Sequence, residues 1–380
     1  MNRSWAEIDI GNLRHNVRVL QGLLPASCAL MPAVKADAYG HGAVEISREL
    51  NGWGIRAFCV ASAREGVTLR KSGIRGEILV LGYTHPDDFH MLEKYRLAQT
   101  VVDYNHAIAL NSYGKKIMVH IAIDTGMRRL GERSENIGKI ANIFKCKNLI
   151  INGIYTHCNV IDSRNPADID FTDGQIQKFY NILGRLKSHG FTLPKVHIQS
   201  SYGVFNYPKL ECDYARVGIA LFGMLSTRED TESYNTGLRP VLSVKTRIST
   251  IKAVSQGEPV GYGMAFIAPR DMTIAVLAIG YADGVPRSLS SGVGSVLING
   301  HKAPIVGRVC MDQMMVDITG SKKAKQGDIA VIIGESEGVV ITACEIAEQA
   351  KTITNEILSR LGGRLERRLV NAGLQQASAV

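Results

Sequence analysis

Residues 57–83, AFCVASAREGVTLRKSGIRGEILVLGY, show the pattern that decides the fold. An apolar run at 57–62 is followed by a segment at 63–73 with apolar residues at helical spacing, and then by a second apolar run at 78–83. A short apolar run bounded by turn residues is typical of a buried strand, and the segment between the runs is typical of an amphipathic helix. The stretch therefore predicts a strand, a helix and a second strand in succession.

The same alternation extends on both sides of this unit and predicts eight strands within the first 220 residues or so. These strands are expected at 29–35, 57–62, 78–83, 99–103, 117–124, 150–157, 195–200 and 215–223. Helical spacing recurs between them, for example at 12–24, 134–144 and 173–190. Eight parallel strands with intervening helices favour an α/β fold, a (β/α)8 barrel of the TIM type.

After residue 223 the pattern changes to extended, alternating segments separated by turns, which predicts a mainly β domain. Its segments are 241–254, 272–284, 294–310, 314–320 and 327–334. A helical stretch is expected at 342–362 within this domain. The polar, turn-rich segment 225–240 is typical of a connection between domains. We therefore predict a barrel over residues 1–230 and a mainly β C-terminal domain over residues 231–380.

The composition is that of a globular protein. The 380 residues include 45% apolar and 21% charged residues, which excludes a disordered chain and a coiled coil. There are 44 lysines and arginines against 35 acidic residues, a formal net charge of +9. Because no basic stripe is interleaved with aromatic residues, nucleic acid is not an expected partner.

The cysteines indicate a reducing compartment. Their number is odd, and their spacing matches neither a zinc site nor a CxxC motif. They are Cys28, Cys59, Cys146, Cys158, Cys212, Cys310 and Cys344. No apolar run approaches the ~18 residues of a membrane span, and the N-terminal MNRSWAEIDI has no apolar signal core. The chain as given is expected to be soluble and cytoplasmic.

Lys35 ends the first predicted strand, in AVKADAYGHG at 33–42. Barrel enzymes build their active sites where strands end, and a lysine held there among apolar groups can have a lowered pKa and form a Schiff base. Phosphate groups in barrels commonly bind at the loops after strands seven and eight, where Ser201 and Gly218 lie. A reactive lysine facing a phosphate site is what pyridoxal phosphate requires. On these residues alone, Gly218 can also be an ordinary turn residue.

The second domain supplies GYGMAF, AIGYADGVPR and GRVCMDQMMVD, which place Tyr, Gly and Arg in turns. On turn chemistry alone, an ordinary strand-connecting turn explains each of them better than a site loop does. His41, His120, His157 and His197 lie far apart in the sequence, so the sequence does not favour a metal site.

AVKADAYGHG, DTGMRRLG, YARVGIALFGM, GYGM and GRVCMDQ together resemble the motifs of the alanine racemase family, in the same order and spacing. The resemblance extends from WAEIDIGNLRHN to the last predicted helix. It implies a pyridoxal phosphate enzyme made of a (β/α)8 barrel and a β domain, which forms a head-to-tail homodimer. It also implies the following site residues.

By this resemblance the two bases are Lys35, which binds the cofactor covalently and acts on the D-enantiomer, and Tyr262, which the partner subunit donates and which acts on the L-enantiomer. Arg216 faces the pyridine nitrogen of the cofactor, where other pyridoxal phosphate enzymes place a carboxylate. The remaining cofactor residues are two histidines near Arg216 and four ligands of the phosphate. They are His157, His197, Tyr39, Ser201, Gly218 and Ile219.

The groups that bind the substrate carboxylate in the family correspond to Arg129 and the backbone of Met311. Tyr281, Arg287 and Asp312 resemble residues that line the access route. The chain departs from the family at Ala122, where many members carry a carbamylated lysine that steadies the equivalent of Arg129. The neighbouring Arg128 also replaces a usual glycine, and we expect an anion such as chloride, or another acidic group, to compensate.

The second departure is Asn355, where alanine racemases usually have a tyrosine. Asn is smaller and can donate and accept hydrogen bonds, so it leaves room for a hydroxymethyl group. It resembles the serine racemases of vancomycin-resistant bacteria, whose racemase domain follows a membrane-embedded domain. This resemblance implies racemisation of serine and alanine for cell-wall precursors, by the cytoplasmic part of a longer membrane protein.

Three alternatives remain open. The first is an ordinary alanine racemase in which Asn355 has no effect on specificity. The second is a barrel-type amino-acid decarboxylase, although that class places an acidic residue where Arg216 lies. The third is a non-catalytic carrier of pyridoxal phosphate, which would need neither Tyr262 nor the β domain.

Overall fold

The computed structural model describes residues 3–321 and 323–372, which divide into two compact units. The barrel unit contains residues 17–38 and 43–221. The β unit contains the described residues up to 16, residues 39–42 and the described residues from 222 onward. The N-terminal segment, which the sequence analysis placed with the barrel, therefore belongs to the β unit.

The barrel unit contains the eight predicted strands, all parallel, and this confirms the predicted fold class. Strands 1 to 8 of the barrel are Ala29–Leu30, Ala57–Val60, Glu77–Val80, Ala98–Val101, Ile117–Asp124, Leu149–Tyr155, Lys195–Ser200 and Tyr214–Arg216. Each strand is hydrogen-bonded to the next, strand 8 pairs with strand 1, and a bridge between Ala33 and Cys59 links the first two strands. The short strand Glu132–Arg133 pairs with strand 5.

Strand 1 is shorter than predicted because proline interrupts its ladder. Pro32 has no N–H group to donate, but its carbonyl accepts from Cys59 N at 2.8 Å. Ala33 N donates to Val217 O at 2.7 Å and Val34 N donates to Cys59 O at 2.9 Å. The extended chain is thereby held between strands 2 and 8 up to the residue before Lys35.

Helices follow most barrel strands, as the alternation predicted. The longest has 23 residues, and no helix in the described part of the chain is long and apolar enough to span a bilayer. The helices are Ile10–Leu23, Ala43–Gly52, Ala63–Lys71, Phe89–Lys94, Tyr104–Ser112, Ile137–Ile143, Pro166–Ser188 and Ser201–Asn206, with 3-10 turns at Pro86–Asp88 and Ile219–Phe222.

The β unit is a nine-stranded sheet, part of which closes on itself. Ile329–Ser336 pairs with both Ser295–Ile298 and Leu242–Val254, so that six strands form a ring. Closure removes the exposed strand edges that promote aggregation. The strands are Ser4–Asp9, Leu242–Val254, Met272–Leu277, Ser295–Ile298, His301–Val306, Met314–Asp317, Ile329–Ser336, Val339–Ile341 and Glu366–Val370.

Two features of the β unit differ from the sequence analysis. The strand Ser4–Asp9 was not predicted; it pairs with Leu242–Val254 on one side and Glu366–Val370 on the other. The single helical stretch expected at 342–362 is instead two helices, Ala343–Gln349 and Thr354–Ser359. The helix ends before Lys351, which has a left-handed backbone (φ 58°) that a right-handed helix cannot contain.

The remaining elements of the β unit are short. They are the helix Arg228–Ser233 and the 3-10 turns Tyr262–Met264, Tyr281–Asp283 and Arg287–Leu289.

Candidate active site

Lys35 lies at the mouth of the barrel, where a strained turn begins. Residues 36–39 are all left-handed, with φ between 50° and 54°, and none is glycine. Each such residue costs roughly 1–2 kcal/mol, and such strain persists mainly at functional sites where the surroundings impose it. Here Glu65 Oε1 accepts from Ala36 N at 2.9 Å, and Asp37 Oδ1 accepts from Ala43 N at 2.8 Å.

Glu65 connects this turn to the end of strand 2. Its other carboxylate oxygen accepts from Ala61 N at 2.6 Å and from Ser62 N at 3.3 Å. Ser62 Oγ in turn accepts from Glu65 N, which completes a capping box for the helix Ala63–Lys71. One carboxylate therefore fixes both a helix start and the backbone beside Lys35. The sequence analysis did not select Glu65.

The surroundings of Lys35 favour its uncharged amine. Burial lowers the pKa of Lys35, and the charge of Arg129 lowers it further, while Cys59 and Glu65 oppose the shift. An amine with a lowered pKa is a better nucleophile toward an aldehyde near neutral pH. This matches the role that the sequence predicts for Lys35.

Arg216 ends strand 8 and is buried, at 7% exposure, among histidines and a tyrosine. Its Nη1 is 2.8 Å from His197 Nδ1, and its Nη2 donates to Thr156 O at 2.7 Å and lies 3.5 Å from His157 Nδ1. The guanidinium lies 4.7 Å from the centre of the Tyr155 ring, a favourable cation–π distance. Within the described residues, no carboxylate forms an ion pair with Arg216.

The two histidines beside Arg216 are neutral. Loss of hydration and the charges of Arg216, Arg129 and Lys35 lower the pKa of His157 to about 3. Burial, Arg216 and His120 lower the pKa of His197 well below its ordinary value. Both rings can therefore accept hydrogen bonds from the guanidinium.

A line of polar side chains continues from Arg216 through the inside of the barrel. His197 Nε2 is 2.8 Å from His120 Nδ1, and His120 Nε2 is 2.8 Å from Glu77 Oε1. We call Arg216, His197, His120 and Glu77 the interior column. Glu77 begins strand 3 and Arg216 ends strand 8, so the interior column runs from the start of the barrel strands to their ends.

The histidines that seemed remote in sequence thus converge around Arg216, and Glu77 was not anticipated. In the part of the chain that the structure describes, no group of three His, Cys, Asp or Glu side chains is arranged to hold a metal ion. His41 instead stacks on Phe222 in the β unit, with ring centres 4.0 Å apart.

The predicted phosphate residues of the barrel come together at the ends of strands 7 and 8. Ser201 Oγ accepts from Gly218 N at 2.9 Å and from Ala220 N at 3.3 Å, and keeps its own hydrogen for donation. Ile219 begins the 3-10 turn that follows. This arrangement places a hydroxyl donor where barrels commonly bind phosphate.

Tyr39 and Asn355 both belong to the β unit. The chain segment 39–42 packs against the helix Thr354–Ser359, because a Cβ on Gly40 would lie 2.1 Å from Leu358 O. Arg367 donates to Gly40 O at 3.0 and 3.1 Å and clamps the segment. The Oδ1 atom of Asn355 is inaccessible to solvent and has no hydrogen-bond partner among the described residues.

The predicted second base is on a turn of the β unit and is highly exposed. Tyr262 is 71% exposed and follows Gly261, whose φ of 77° suits glycine. Met311 is 53% exposed, and its carbonyl accepts from Ala282 N at 3.0 Å. Tyr281 N donates to Cys310 O at 2.9 Å, which ties the two turns together.

A buried carboxylate that the sequence analysis missed holds these turns. Asp283 is fully buried and lies 2.6 Å from Arg3 and 3.4 Å from Arg364. Arg364 also pairs with Asp312 at 2.7 Å. Arg287 begins the following 3-10 turn. The four predicted residues Tyr281, Arg287, Met311 and Asp312 thus lie on neighbouring turns of one unit.

The region around Ala122 agrees with the departure seen in the sequence. Ala122 is buried and offers no amine for a carbamate. The nearby Asp124 accepts from the backbone of Gly126 and of Arg128, and its Oδ2 is 3.3 Å from the Arg128 guanidinium. Arg129 is exposed.

Two family models match the chain in succession. The model described as "Alanine racemase, N-terminal domain" matches residues 8–226, and "Alanine racemase, C-terminal domain" matches residues 241–369. The chain belongs to the alanine racemase family. An "Amino-acid racemase" of Enterococcus faecalis is 45% identical over 96% of this chain, and a "Serine/alanine racemase" of Enterococcus gallinarum is 38% identical over 97%.

Within this family the relatives differ in length. The chain spans about half of the Enterococcus proteins, 51% and 52% respectively, but 99% of an "Alanine racemase" of Carboxydothermus hydrogenoformans that is 38% identical over 97% of this chain. Among solved structures, the alanine racemase of Clostridium difficile 630 is 33% identical, with a TM-score of 0.90, covering 97% of this chain and 95% of that chain.

Alanine racemases depend on pyridoxal phosphate, and the barrel unit fits this group. Lys35 has the lowered pKa that an amine needs to bind an aldehyde. Ser201 supplies a hydroxyl donor for the phosphate, and Arg216 offers a buried guanidinium for the ring. The donor set therefore suits an aldehyde, a phosphate and an aromatic nitrogen.

Proposed function

We propose that the chain is a pyridoxal phosphate-dependent racemase that interconverts the enantiomers of serine and of alanine. The observation that carries this proposal is the buried Arg216, held by neutral histidines in the same unit as the reactive Lys35. When bound, pyridoxal phosphate supplies the electron sink for the carbon that loses its proton. A guanidinium cannot take the ring proton, which limits competing reactions such as transamination.

Racemisation needs acid–base groups on opposite faces of a planar carbon. In our proposal, Lys35 Nζ moves the proton on the D side and Tyr262 Oη moves it on the L side. Arg129 binds the substrate carboxylate, for which a bidentate guanidinium is suited, together with the backbone of Met311. Tyr39, Ser201, Gly218 and Ile219 bind the phosphate, and His157 and His197 hold Arg216.

The exposure of Tyr262 supports a homodimer with shared active sites. A phenol at 71% exposure has none of the burial that a catalytic base in a closed site requires. Met264 and Met311 on neighbouring turns are also exposed, at 70% and 53%. We propose that a second copy of the chain covers this surface, so that Tyr262 serves the partner's active site and Tyr281, Arg287 and Asp312 line the access route.

Asn355 supports serine as a substrate. Its buried Oδ1 has no partner among the described residues, and an unpaired buried acceptor gains free energy from a ligand hydroxyl. The relative named "Serine/alanine racemase" is 38% identical. The alternative is an ordinary alanine racemase, which the similarly distant relatives of that name support. A decarboxylase is not favoured because that class places an acidic residue where Arg216 lies.

The decisive experiment is racemisation of L-serine and of L-alanine by the cofactor-loaded protein and by Asn355→Tyr. We expect turnover of both amino acids, with the serine to alanine ratio falling roughly 10- to 200-fold in the variant, the range that one pocket side chain commands. Ile353→Tyr adds the same ring at an exposed position beside this helix and is the control. Turnover of alanine alone would contradict the serine proposal.

A role in cell-wall precursor synthesis and vancomycin resistance, and attachment to a membrane-embedded domain, stay predictions. They rest on the resemblance to serine racemases. The length of the Enterococcus relatives, about twice that of this chain, is compatible with further domains in such proteins.

A further inference from the structure

The interior column has only one consistent set of hydrogens. Arginine carries hydrogens on all its nitrogens and cannot accept, so His197 Nδ1 must be the acceptor at 2.8 Å. The hydrogen of neutral His197 then lies on Nε2 and points at His120 Nδ1, 2.8 Å away. His120 must therefore carry its hydrogen on Nε2, and this nitrogen lies 2.8 Å from Glu77 Oε1.

The Glu77 end of the interior column is charged. Burial raises the pKa of Glu77, but the contact with His120, the hydrogen bond from Asn152 and the charge of Lys195 outweigh it and lower the pKa. Asn152 Nδ2 donates to the second carboxylate oxygen at 3.2 Å. The Glu77 side chain is 17% exposed, whereas the His120 side chain is fully buried.

The barrel is shaped to hold the His120 ring in this place. Gly153 on strand 6 lies so close that a Cβ there would be 2.1 Å from His120 Nδ1. The pairing of strands 5 and 6 shifts register between Val119 and His120, at the same point. A barrel interior is normally filled with branched apolar residues. The interior column, with space for the His120 ring provided by Gly153, departs from this pattern.

We propose that Glu77, acting through His120, is a positioning residue that fixes His197 in the tautomer able to accept a hydrogen bond from Arg216. Without a carboxylate at position 77, the buried Nε2–H of His120 would lose the negative charge that lies 2.8 Å from it, which is costly. His120 would relieve this cost by moving its hydrogen to Nδ1, which forces a hydrogen onto His197 Nδ1 and against Arg216. The guanidinium would then lose its contact with His197.

This inference rests on the proposed role of Arg216 toward the cofactor, so its test has a readout that does not depend on turnover. In cofactor-loaded protein labelled with 15N-histidine, the ring nitrogen shifts of His120 and His197 report which nitrogen carries the hydrogen. We expect Nε2–H in both rings of the wild-type chain. Glu77→Gln keeps an acceptor and should keep both tautomers, whereas Glu77→Leu should change them.

Activity provides the second readout. We expect kcat for racemisation to fall about tenfold in Glu77→Leu, the effect of one lost hydrogen bond to a charged group, and Glu77→Gln to restore most of it. KM should change little, because the interior column does not include Arg129. Glu7→Gln removes a similarly half-buried carboxylate, paired with Lys245 in the β unit, and should leave tautomers and kcat unchanged.

Two results would overturn the proposal: a hydrogen on Nδ1 of His197 in the wild-type chain, or wild-type tautomers and kcat in Glu77→Leu. If Glu77→Leu does not fold, Glu77→Gln still decides, since a change of tautomer despite a retained acceptor contradicts the argument. Tautomers that change as expected, in a chain that racemises no amino acid, would support the interior column and refute the proposed function instead.

Discussion

Gly153 and His120 approach each other so closely that a methyl group on Gly153 would overlap the imidazole ring. The built Cβ lies 2.1 Å from Nδ1, 2.5 Å from Cε1 and 2.7 Å from Cγ of His120. Because the ring is enclosed within the barrel, it cannot swing into solvent. Glycine is therefore required here by space and not by backbone conformation.

Gly153→Ala should destabilise the protein and disturb His120. Overpacking of a closed interior costs about 1–3 kcal/mol, and we expect the upper end of that range. The free energy of unfolding in urea measures it. Gly184 lies in the helix Pro166–Ser188 with no atom near its built Cβ, so Gly184→Ala should instead stabilise by up to about 1 kcal/mol. Equal effects of the two substitutions would contradict the steric argument.

The pKa of Lys35 should respond in opposite directions to its two charged neighbours. Arg129 lowers this pKa, so Arg129→Gln should raise it; Glu65 opposes the shift, so Glu65→Gln should lower it further. Amine-selective labelling of Lys35 in cofactor-free protein, followed by mass spectrometry across pH, measures the midpoint. At a fixed pH below that midpoint, labelling should be faster in Glu65→Gln and slower in Arg129→Gln than in the wild-type chain. Shifts of the same sign would refute the electrostatic account.

Asp283→Asn should destabilise the β unit. The substitution removes the charge that binds Arg3 and Arg364 and weakens the bond from Gly280 N to Asp283 Oδ2. Hydrogen bonds to charged groups contribute roughly 1.5–3 kcal/mol each, so we expect a loss of about 2–3 kcal/mol in urea unfolding. Glu135→Gln removes an exposed ion pair with Arg133 and should cost less than about 0.5 kcal/mol. A comparable loss in both variants would show that burial of Asp283 is unimportant.

Tyr262→Phe should nearly abolish racemisation, because phenylalanine cannot carry the proton on the L side. The absorbance of the bound cofactor should persist, since Lys35 and the phosphate donors are untouched. Tyr83→Phe removes the hydroxyl of another exposed tyrosine, 54% exposed on the barrel, and serves as the matched control. Full turnover by Tyr262→Phe would remove this residue from the catalytic pair.

The strands of the barrel were predictable because each is a local apolar run with turn residues on both sides. The N-terminal strand was not, because its partners are remote: Trp5 lies opposite Lys245 and Glu366. Local pattern also predicted helix through 342–362, although Lys351 takes a left-handed backbone that helical spacing does not reveal.

The candidate site likewise contains residues that the local sequence predicted and residues that it did not. Lys35, Ser201 and Gly218 follow from the rule that barrel sites form where strands end. His120 and His197 are 77 residues apart, and only the closure of the barrel places their nitrogens 2.8 Å apart. Glu77 is the first residue of its strand, whereas that rule places functional residues at the C-terminal ends of the strands. The sequence did not predict the role of Asp283 for a similar reason, because its partners Arg3 and Arg364 are remote from it in the sequence.

The strand Ser4–Asp9 also constrains how the protein can be made. It leaves the ribosome long before its parallel partner Glu366–Val370. At roughly 5–20 residues per second, synthesis of the intervening chain takes on the order of 20–70 s. During that time the early strand waits with an open edge, a condition that favours mispairing with other nascent chains. The β unit can therefore be completed only after the whole barrel has been synthesised.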